Sequence, residues 1–277
     1  MLNVGIINIT GYAGAEIARL VYSHPELKLV SATGRSKAGK DLSEVFPHLE
    51  KTDIKIREEL SDNVEFVFSA LPHAASAEKL SQYVDSSTPA IDISADFRLK
   101  DLSTYEDWYD IKHPRPELID QATYGLPEIH RDDIKKSKLV ANPGCFPTGA
   151  ILSMSPAVKN DLIEDMIIID SKTGVSGAGR TAKEAFGFSE LNDNCAAYGT
   201  KGHRHQPEIA QELNFLTNNE INVLFTPHLV SMTRGILGTN YAMLKKNITE
   251  KDAVELYKEF YKSEPFIKIV EIGRAHV

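Results

Sequence analysis

The chain has 277 residues, 42% of them hydrophobic and 25% charged, which are ordinary proportions for a globular protein long enough to form two domains. Its formal net charge of −8 argues against binding to nucleic acids or to an anionic membrane. Two cysteines are too few for a disulfide framework, no apolar run is long enough to span a membrane, and no secretory signal precedes the first strand-like residues. We therefore expect a cytoplasmic protein that acts on a small molecule.

Residues 1–144 alternate short apolar runs with amphipathic helical patterns. The predicted strands are "LNVGII", "LKLVSA", "VEFVFSAL", "PAIDIS" and "KLVAN". Helices are predicted at "AEIARLVYSH" and over residues 74–84. Because strand–helix alternation of this kind builds a parallel sheet with helices on both faces, we predict a Rossmann-type doubly wound α/β domain that binds a dinucleotide.

Residues 145–277 follow a different pattern. "FPTGAILSMSPAV" is predicted to be a helix, "DMIIIDSKTG" a strand, and "TEKDAVELYKEFYKS" an amphipathic helix capped by Thr249 and Asp252. "INVLFTPHLV" and "RGILGTNYAMLKK" lie close together, as two antiparallel strands would. We predict a second α+β domain with a largely antiparallel sheet, which would carry the catalytic and substrate-binding groups and the oligomer interface.

The segment "GIINITGYAG" places Asn8, Gly11 and Gly14 between the first strand and the first helix. Such a turn offers free N–H groups and the positive end of a helix dipole to a pyrophosphate. Asn8 stands where a full glycine fingerprint has Gly, but Asn tolerates the left-handed backbone conformation that this position requires. A tight turn without a ligand is the alternative.

The second predicted strand ends in "SATGRSKAGK" rather than in the Asp or Glu that meets the free ribose hydroxyl of NAD. Arg35, Ser36 and Lys37 offer a guanidinium, a hydroxyl and an ammonium group, which suit a ribose 2′-phosphate. The sequence therefore favours NADP over NAD, and a solvated basic loop is the alternative.

Cys145 lies in "VANPGCFPTGA", where a strand gives way to a helix. Gly144 permits a sharp turn and Pro147 suits the first turn of a helix, so Cys145 is predicted at a helix N-terminus. That position lowers the pKa of a thiol and favours the reactive thiolate. A buried structural thiol is the alternative, and Cys195 lacks this setting and is expected to be inert.

"GTKGHRHQPEIAQEL" carries His203 and His205 just before a predicted helix. Histidine is the usual proton-exchange partner of a cysteine nucleophile near neutral pH. A metal site with Cys145 or Glu208 is disfavoured because no second His or Cys pair has metal-ligand spacing, so we expect no metal. A surface loop is the other alternative.

Two further segments are candidates for binding anions. In "SKTGVSGAGR", the backbone around Gly177 and the guanidinium of Arg180 suit a phosphate or a carboxylate. In "DISADFRL", Arg98 is predicted near the sheet edge where ligands of doubly wound sheets bind. An ordinary turn is the alternative for each.

Eight segments of the chain occur in the order found in one family. They are "TGYAG", "GRSKAGK", "ALPH", "DISADFRL", "YGLPE", "ANPGCFPT", "SGAGR" and "HRHQPEI". Over nearly its whole length the chain resembles the N-acetyl-gamma-glutamyl-phosphate reductases of arginine biosynthesis. The resemblance implies reduction of N-acetyl-glutamyl 5-phosphate by NADPH to the 5-semialdehyde and phosphate, through a thioester on Cys145. It also implies a homodimer or homotetramer.

The resemblance further implies roles for individual residues. His205 or His203 would be the acid/base, with His205 preferred, and Gly177, Arg180 and Arg98 would bind substrate anions. The implied cofactor-binding residues are Thr10, Gly11, Tyr12, Ala13, Gly14, Arg35, Ser36, Leu71 and Pro72.

The chain departs from the family pattern in three places. Asn8 replaces a glycine, Ala74 stands where "LPHG" is usual, and the final "EIGRAHV" resembles nothing in the family. We therefore expect a C-terminally shortened member. The alternatives are an aspartate-semialdehyde dehydrogenase, whose histidine segment differs from "HRHQPEI", and a truncated nucleotide-binding scaffold without activity.

Overall fold

The computed structural model describes residues 1–181 and 183–270, so the expectation about "EIGRAHV" falls on residues outside the described part of the chain. The chain forms two compact units. The first comprises Met1–Gly144, Gly174–Cys195 and Val230–Arg234, and the second comprises the rest. The contiguous division into residues 1–144 and 145–277 stays a prediction.

The first unit contains a sheet of seven parallel strands in the order β3-β2-β1-β4-β5-β7-β6. Because the chain builds outward from β1 first to one side and then to the other, the strand order reverses between β1 and β4. The predicted Rossmann-type sheet is confirmed. The strands are β1 Leu2–Ile7, β2 Leu27–Thr33, β3 Ile56–Arg57, β4 Phe66–Ser69, β5 Ala90–Asp92, β6 Ala122–Tyr124 and β7 Leu139–Ala141.

Helices cover both faces of this sheet. Ile6 and Ile7 of β1 belong to two separate apolar clusters, because consecutive strand residues point to opposite faces. A sheet buried on both faces explains why its strands read as nearly continuous apolar runs. The helices before the second unit are α1 Tyr12–Ser23, α2 Leu42–Val45, α3 Ala75–Asp85, α4 Leu102–Tyr109 and α5 Pro127–Ile134.

The second unit is built on a four-stranded sheet in the order β11-β8-β10-β9. The segments "INVLFTPHLV" and "RGILGTNYAMLKK" form strands that run antiparallel to each other, as predicted, but they are not neighbours in the sheet. β8 lies between them, parallel to β10 and antiparallel to β11, so the sheet is mixed. The longest apolar strand takes the centre, where both of its edges are paired. The strands are β8 Ile163–Thr173, β9 Cys195–Ala197, β10 Asn222–Val230 and β11 Ile236–Leu244.

One face of this sheet packs against helices and the other is exposed within the chain. Ile167 and Ile169 of β8 are fully buried in a cluster with Phe146 and Ile209, whereas Ile168 between them is 41% exposed. The remaining helices are α6 Cys145–Lys159, α7 Phe188–Leu191 of the first unit, α8 His205–Asn214 and α9 Glu250–Phe260. Among the described residues, no helix has the length and apolarity to cross a membrane.

Candidate active site

The turn after β1 is held by Asn8, which has a φ of 63°. The structure thus confirms that Asn takes the left-handed conformation here. Its side-chain Nδ2 donates to the carbonyl oxygen of Ala70 at 2.8 Å, and its main-chain N–H donates to Thr33 Oγ1 at 3.2 Å. Asn8 therefore ties together the carboxyl ends of β1, β2 and β4, and the side-chain bond to the end of β4 is one that a glycine could not make.

The glycines of the turn shape a place for a phosphate. A Cβ atom on Gly14 would lie 2.6 Å from the Asn8 carbonyl oxygen, so only glycine lets α1 pack this closely against the turn. A Cβ atom on Gly11 would meet nothing within 4 Å, so the space in front of this residue is open. The N-cap residue of α1 is Gly11, which has no side chain to cap the helix. Its first N–H groups suit a phosphate.

A cavity of about 660 Å³ opens beside this turn in the first unit. Its volume suits the adenosine half of a dinucleotide. Glu58, Glu59, Glu78 and Lys79 also line it, and Lys79 Nζ lies 2.5 Å from Glu59 Oε2. The structure brings five of the predicted cofactor residues to this cavity: Thr10, Arg35, Ser36, Leu71 and Pro72.

The two carboxylates of the "DISADF" segment bind main-chain and side-chain groups of the protein itself. Asp92 is fully buried, and burial together with the charge of Asp96 raises its pKa to about 6. Hydrogen bonds from Ser76 and Ser94 act in the opposite direction. Asp96 accepts from the main-chain N–H of Ala74 and of Ala77 at 2.7 and 2.8 Å, so it secures the N-terminus of α3.

Arg98 is 7% exposed and its guanidinium serves the main chain. Nε donates to the carbonyl oxygen of Asn142 at 2.7 Å and Nη2 donates to that of Ile93 at 2.8 Å. These carbonyls directly follow β7 and β5, so Arg98 holds two neighbouring strand ends in place. Its role in binding the substrate stays a prediction.

The "SGAGR" loop belongs to the first unit. Gly177 lies in a 3₁₀ turn, and Arg180 is the last residue of the loop, after that turn. Arg180 Nη1 donates to the Thr10 carbonyl oxygen at 3.2 Å and Nη2 to that of Val45 at 3.3 Å. Its guanidinium carbon lies 4.4 Å from the centre of the Phe46 ring. Arg180 thus contacts the dinucleotide turn, and substrate binding by Gly177 and Arg180 stays a prediction.

Cys145 of the second unit is the first residue of α6, and its side chain is exposed. The predicted position at a helix N-terminus is confirmed. The following residue, Phe146, is 3% exposed. Its buried ring anchors the start of the helix, while the Cys145 side chain faces solvent. The partial positive charge at this end of a fifteen-residue helix favours a thiolate.

The two histidines form one ring cluster in the second unit. The ring centres of His203 and His205 are 4.8 Å apart, and each lies 5.8 Å from that of Phe146. The main-chain N–H of His205 donates to His203 Nδ1 at 3.1 Å, so the proton of a neutral His203 ring is on Nε2. Burial, aided by the charge of Arg204, lowers the pKa of His203 to about 4. His203 is therefore neutral near pH 7.

Tyr198 lies near this cluster and was missed in the sequence, and Glu208 was considered there only as a possible metal ligand. Burial raises the pKa of Tyr198 to about 12, and the negative charge of a Cys145 thiolate adds to the shift, so phenol and thiol are electrostatically coupled. Glu208 is 1% exposed on α8, one turn after His205. Tyr198 is still 38% exposed and carries no sequence pattern of its own, so only its coupling to Cys145 in the structure identifies it, whereas Glu208 is identified by its burial. Across residues 1–181 and 183–270, no three His, Cys, Asp or Glu side chains group as a metal site.

Comparisons with known proteins agree with this two-unit architecture. Residues 3–137 match the family "Semialdehyde dehydrogenase, NAD binding domain", and residues 145–276 match "Semialdehyde dehydrogenase, dimerisation domain". The aspartate semialdehyde dehydrogenase II of Vibrio cholerae has a similar fold, with a TM-score of 0.70 at 15% identity over 94% of this chain and 79% of that one. The enzyme from Candida albicans, solved with NADP, gives 0.66 at 15% identity over 95% and 76%. Fold and matches define an oxidoreductase of the semialdehyde dehydrogenase type.

Curated relatives narrow this class. An N-acetyl-gamma-glutamyl-phosphate reductase of Dehalococcoides mccartyi (strain CBDB1) is 52% identical over 266 residues, covering 96% of this chain and 78% of its own. That of Methanococcus maripaludis (strain C6) is 44% identical over 279 residues, covering 99% and 81%. The chain belongs to the N-acetyl-gamma-glutamyl-phosphate reductase family. The resemblance seen in the sequence is confirmed, and the aspartate-semialdehyde alternative is not favoured.

Proposed function

We propose that this chain reduces N-acetyl-glutamyl 5-phosphate to N-acetyl-glutamate 5-semialdehyde and phosphate with NADPH, as a cytoplasmic step of arginine biosynthesis. The observation that carries the proposal is an exposed cysteine at the N-terminus of α6, in a unit that also holds two clustered histidines. Family membership supports the choice of substrate.

The first step belongs to Cys145. Its thiolate attacks the acyl carbon, the bond from that carbon to the phosphate oxygen breaks, and phosphate leaves. The product is a thioester on Sγ. The positive end of α6 supports this step because it stabilises the thiolate from which the attack starts.

The cofactor would be held by the turn at residues 10–14 and by Arg35, Ser36, Leu71 and Pro72. The open space at Gly11, the uncapped α1 N-terminus and the cationic end of β2 fit a dinucleotide that carries a 2′-phosphate. Bound NADPH supplies the hydride that brings the thioester to the aldehyde level. A protonated side chain would donate its proton to the substrate oxygen as the hydride arrives, which gives a thiohemiacetal on Cys145. The same side chain would take the proton back as the carbon–sulfur bond breaks, which releases the semialdehyde and the Cys145 thiolate.

We assign the transfer of this proton to His205. His203 has a pKa near 4 and its Nδ1 is already engaged by the His205 N–H, so it exchanges protons poorly near pH 7. In this assignment His203 orients the start of α8 and thereby His205. Replacing His205 by Asn should lower kcat strongly, whereas His203→Asn should act mainly on the protein's stability.

We propose a homodimer formed through the exposed face of the second unit's sheet. Ile168 of β8 pairs with Leu224 of β10 and Tyr241 of β11, and these three side chains are 41%, 55% and 54% exposed. Met166 and Met243 extend this apolar row. A contiguous apolar patch of this kind marks an interaction site. The match of residues 145–276 to a dimerisation domain supports a second copy of the chain as its partner.

The function is tested by phosphate-dependent reduction of NADP with two aldehydes. Turnover is expected with N-acetyl-glutamate 5-semialdehyde, and turnover only with aspartate semialdehyde would refute the proposal. Cys145→Ser should abolish it, whereas Cys195→Ser is the matched control because Cys195 is also exposed. Iodoacetamide should label Cys145 faster than Cys195, and equal rates would contradict the thiolate assignment.

A further inference from the structure

Arg180 contacts Thr10, Val45 and Phe46, which all belong to the first unit. Thr10 is part of the turn that binds the cofactor in the proposed function. We propose that Arg180 is a positioning residue, which orients the dinucleotide turn for the phosphates of NADPH, instead of a ligand of the substrate anion. This inference rests on the proposed function for the identity of the cofactor.

The guanidinium bridges two elements that are distant in sequence. One nitrogen donates to Thr10, between β1 and α1, and the other donates to Val45, the last residue of α2. Phe46 is 6% exposed and offers its ring face as a fixed platform. The two bonds leave from different nitrogens of one flat group that lies over the ring, whereas a lysine has a single nitrogen and no flat face, so the geometry favours arginine.

The hydrogen bond to Thr10 has a consequence for the next peptide group. In a trans peptide, the carbonyl oxygen of one residue and the N–H of the following residue point in opposite directions. When Arg180 draws the Thr10 oxygen toward itself, it turns the Gly11 N–H the other way. A donor fixed in this manner binds an anion with little loss of conformational entropy.

The charge beside Arg180 favours the same ligand class. A second cavity of about 330 Å³ is lined by Tyr12 of the turn and by Arg180, Lys183 and Arg234. None of the lining residues within the described ranges is an Asp or a Glu. The surroundings of the turn on this side are therefore cationic, which attracts a phosphate-bearing cofactor.

The experiment measures the Kd of NADPH by fluorescence titration for wild type, Arg180→Gln, Arg180→Lys and Arg19→Gln. Arg19 is the matched control because it lies on α1 in a surface ion pair with Glu16. We expect Kd to rise about tenfold in both Arg180 variants, which corresponds to about 1.4 kcal/mol, and to be unchanged in Arg19→Gln. The KM for N-acetyl-glutamate 5-semialdehyde, measured at saturating NADP, should change less than about twofold.

Arg180→Lys separates positioning from charge, because lysine keeps the cation but lacks the fork. An unchanged Kd in Arg180→Gln would overturn the inference, and so would a wild-type Kd in Arg180→Lys. A raised KM for the semialdehyde with an unchanged Kd would return Arg180 to substrate binding. Thermal unfolding of each variant verifies that it is folded. If wild type itself fails to bind NADPH, the proposed function fails as well, which distinguishes the two results.

Discussion

Pro156 interrupts the helix that begins with Cys145, and the structure shows how the break is repaired. Proline has no N–H, so the carbonyl oxygen of Leu152 loses the donor that a regular helix would provide. The phenol of Tyr261, which is 5% exposed, donates to that oxygen at 2.5 Å. Tyr261→Phe removes this donor and changes little else in shape.

The expected cost follows from the asymmetry of hydrogen-bond energetics. A buried acceptor left without a donor costs about 1–3 kcal/mol, and we expect about 1–2 kcal/mol because this bond is only partly buried. Tyr257→Phe is the matched control. Its hydroxyl donates to the Ser153 carbonyl oxygen at 2.7 Å. The residue four positions after Ser153 is Ala157, which has the N–H that a regular helix directs at this oxygen, so we expect the loss of the Tyr257 hydroxyl to cost less than about 1 kcal/mol.

The assay is urea unfolding combined with hydrogen exchange of peptides from α6, because a chain with two units need not unfold in one step. Tyr261→Phe should lower the unfolding midpoint and the protection of α6 more than Tyr257→Phe does. Equal effects, or the reverse order, would refute the account of the proline break.

Three further outcomes are expected. Because the pKa of Asp92 is raised to about 6, this residue stabilises the fold below about pH 4, and that stabilisation is lost as the pH rises toward 6. Asp92→Asn has no such pH dependence. Between about pH 4 and 7, the free energy of unfolding of Asp92→Asn should therefore rise relative to that of wild type by up to about 3 kcal/mol. A pH-independent difference in urea unfolding would contradict this. Leu224→Lys places a charge on the exposed sheet face and should give a monomer in light scattering. Leu20→Lys is the control, because Leu20 is equally exposed but lies away from this face, and it should leave the oligomer intact. An unchanged oligomer in both variants would exclude this face as the interface. Arg35→Ala should raise the Kd of NADPH about tenfold or more and leave that of NADH nearly unchanged, and equal losses in titrations with the two cofactors would defeat the 2′-phosphate assignment.

Local sequence patterns determined much of this protein. The alternation of apolar runs with amphipathic helical patterns predicted the parallel sheet. A strand that is buried on both faces is apolar along its whole length, so it can be recognised from its own residues. Gly144 and Pro147 predicted that a helix begins at Cys145, and the backbone tolerance of Asn8 explained how the turn survives without a glycine. Each of these features depends on residues within one turn or one strand of each other.

Only the tertiary structure decided the rest. β8 separates β10 from β11, although the last two are nearly adjacent in sequence, because strand order is set by which edges are buried and not by chain proximity. Arg180 reaches a carbonyl 170 residues earlier, Tyr198 comes under the influence of Cys145, and Glu208 becomes buried where separate segments meet. Long-range contacts impose no period on the neighbouring residues, so nothing in a single sequence records them.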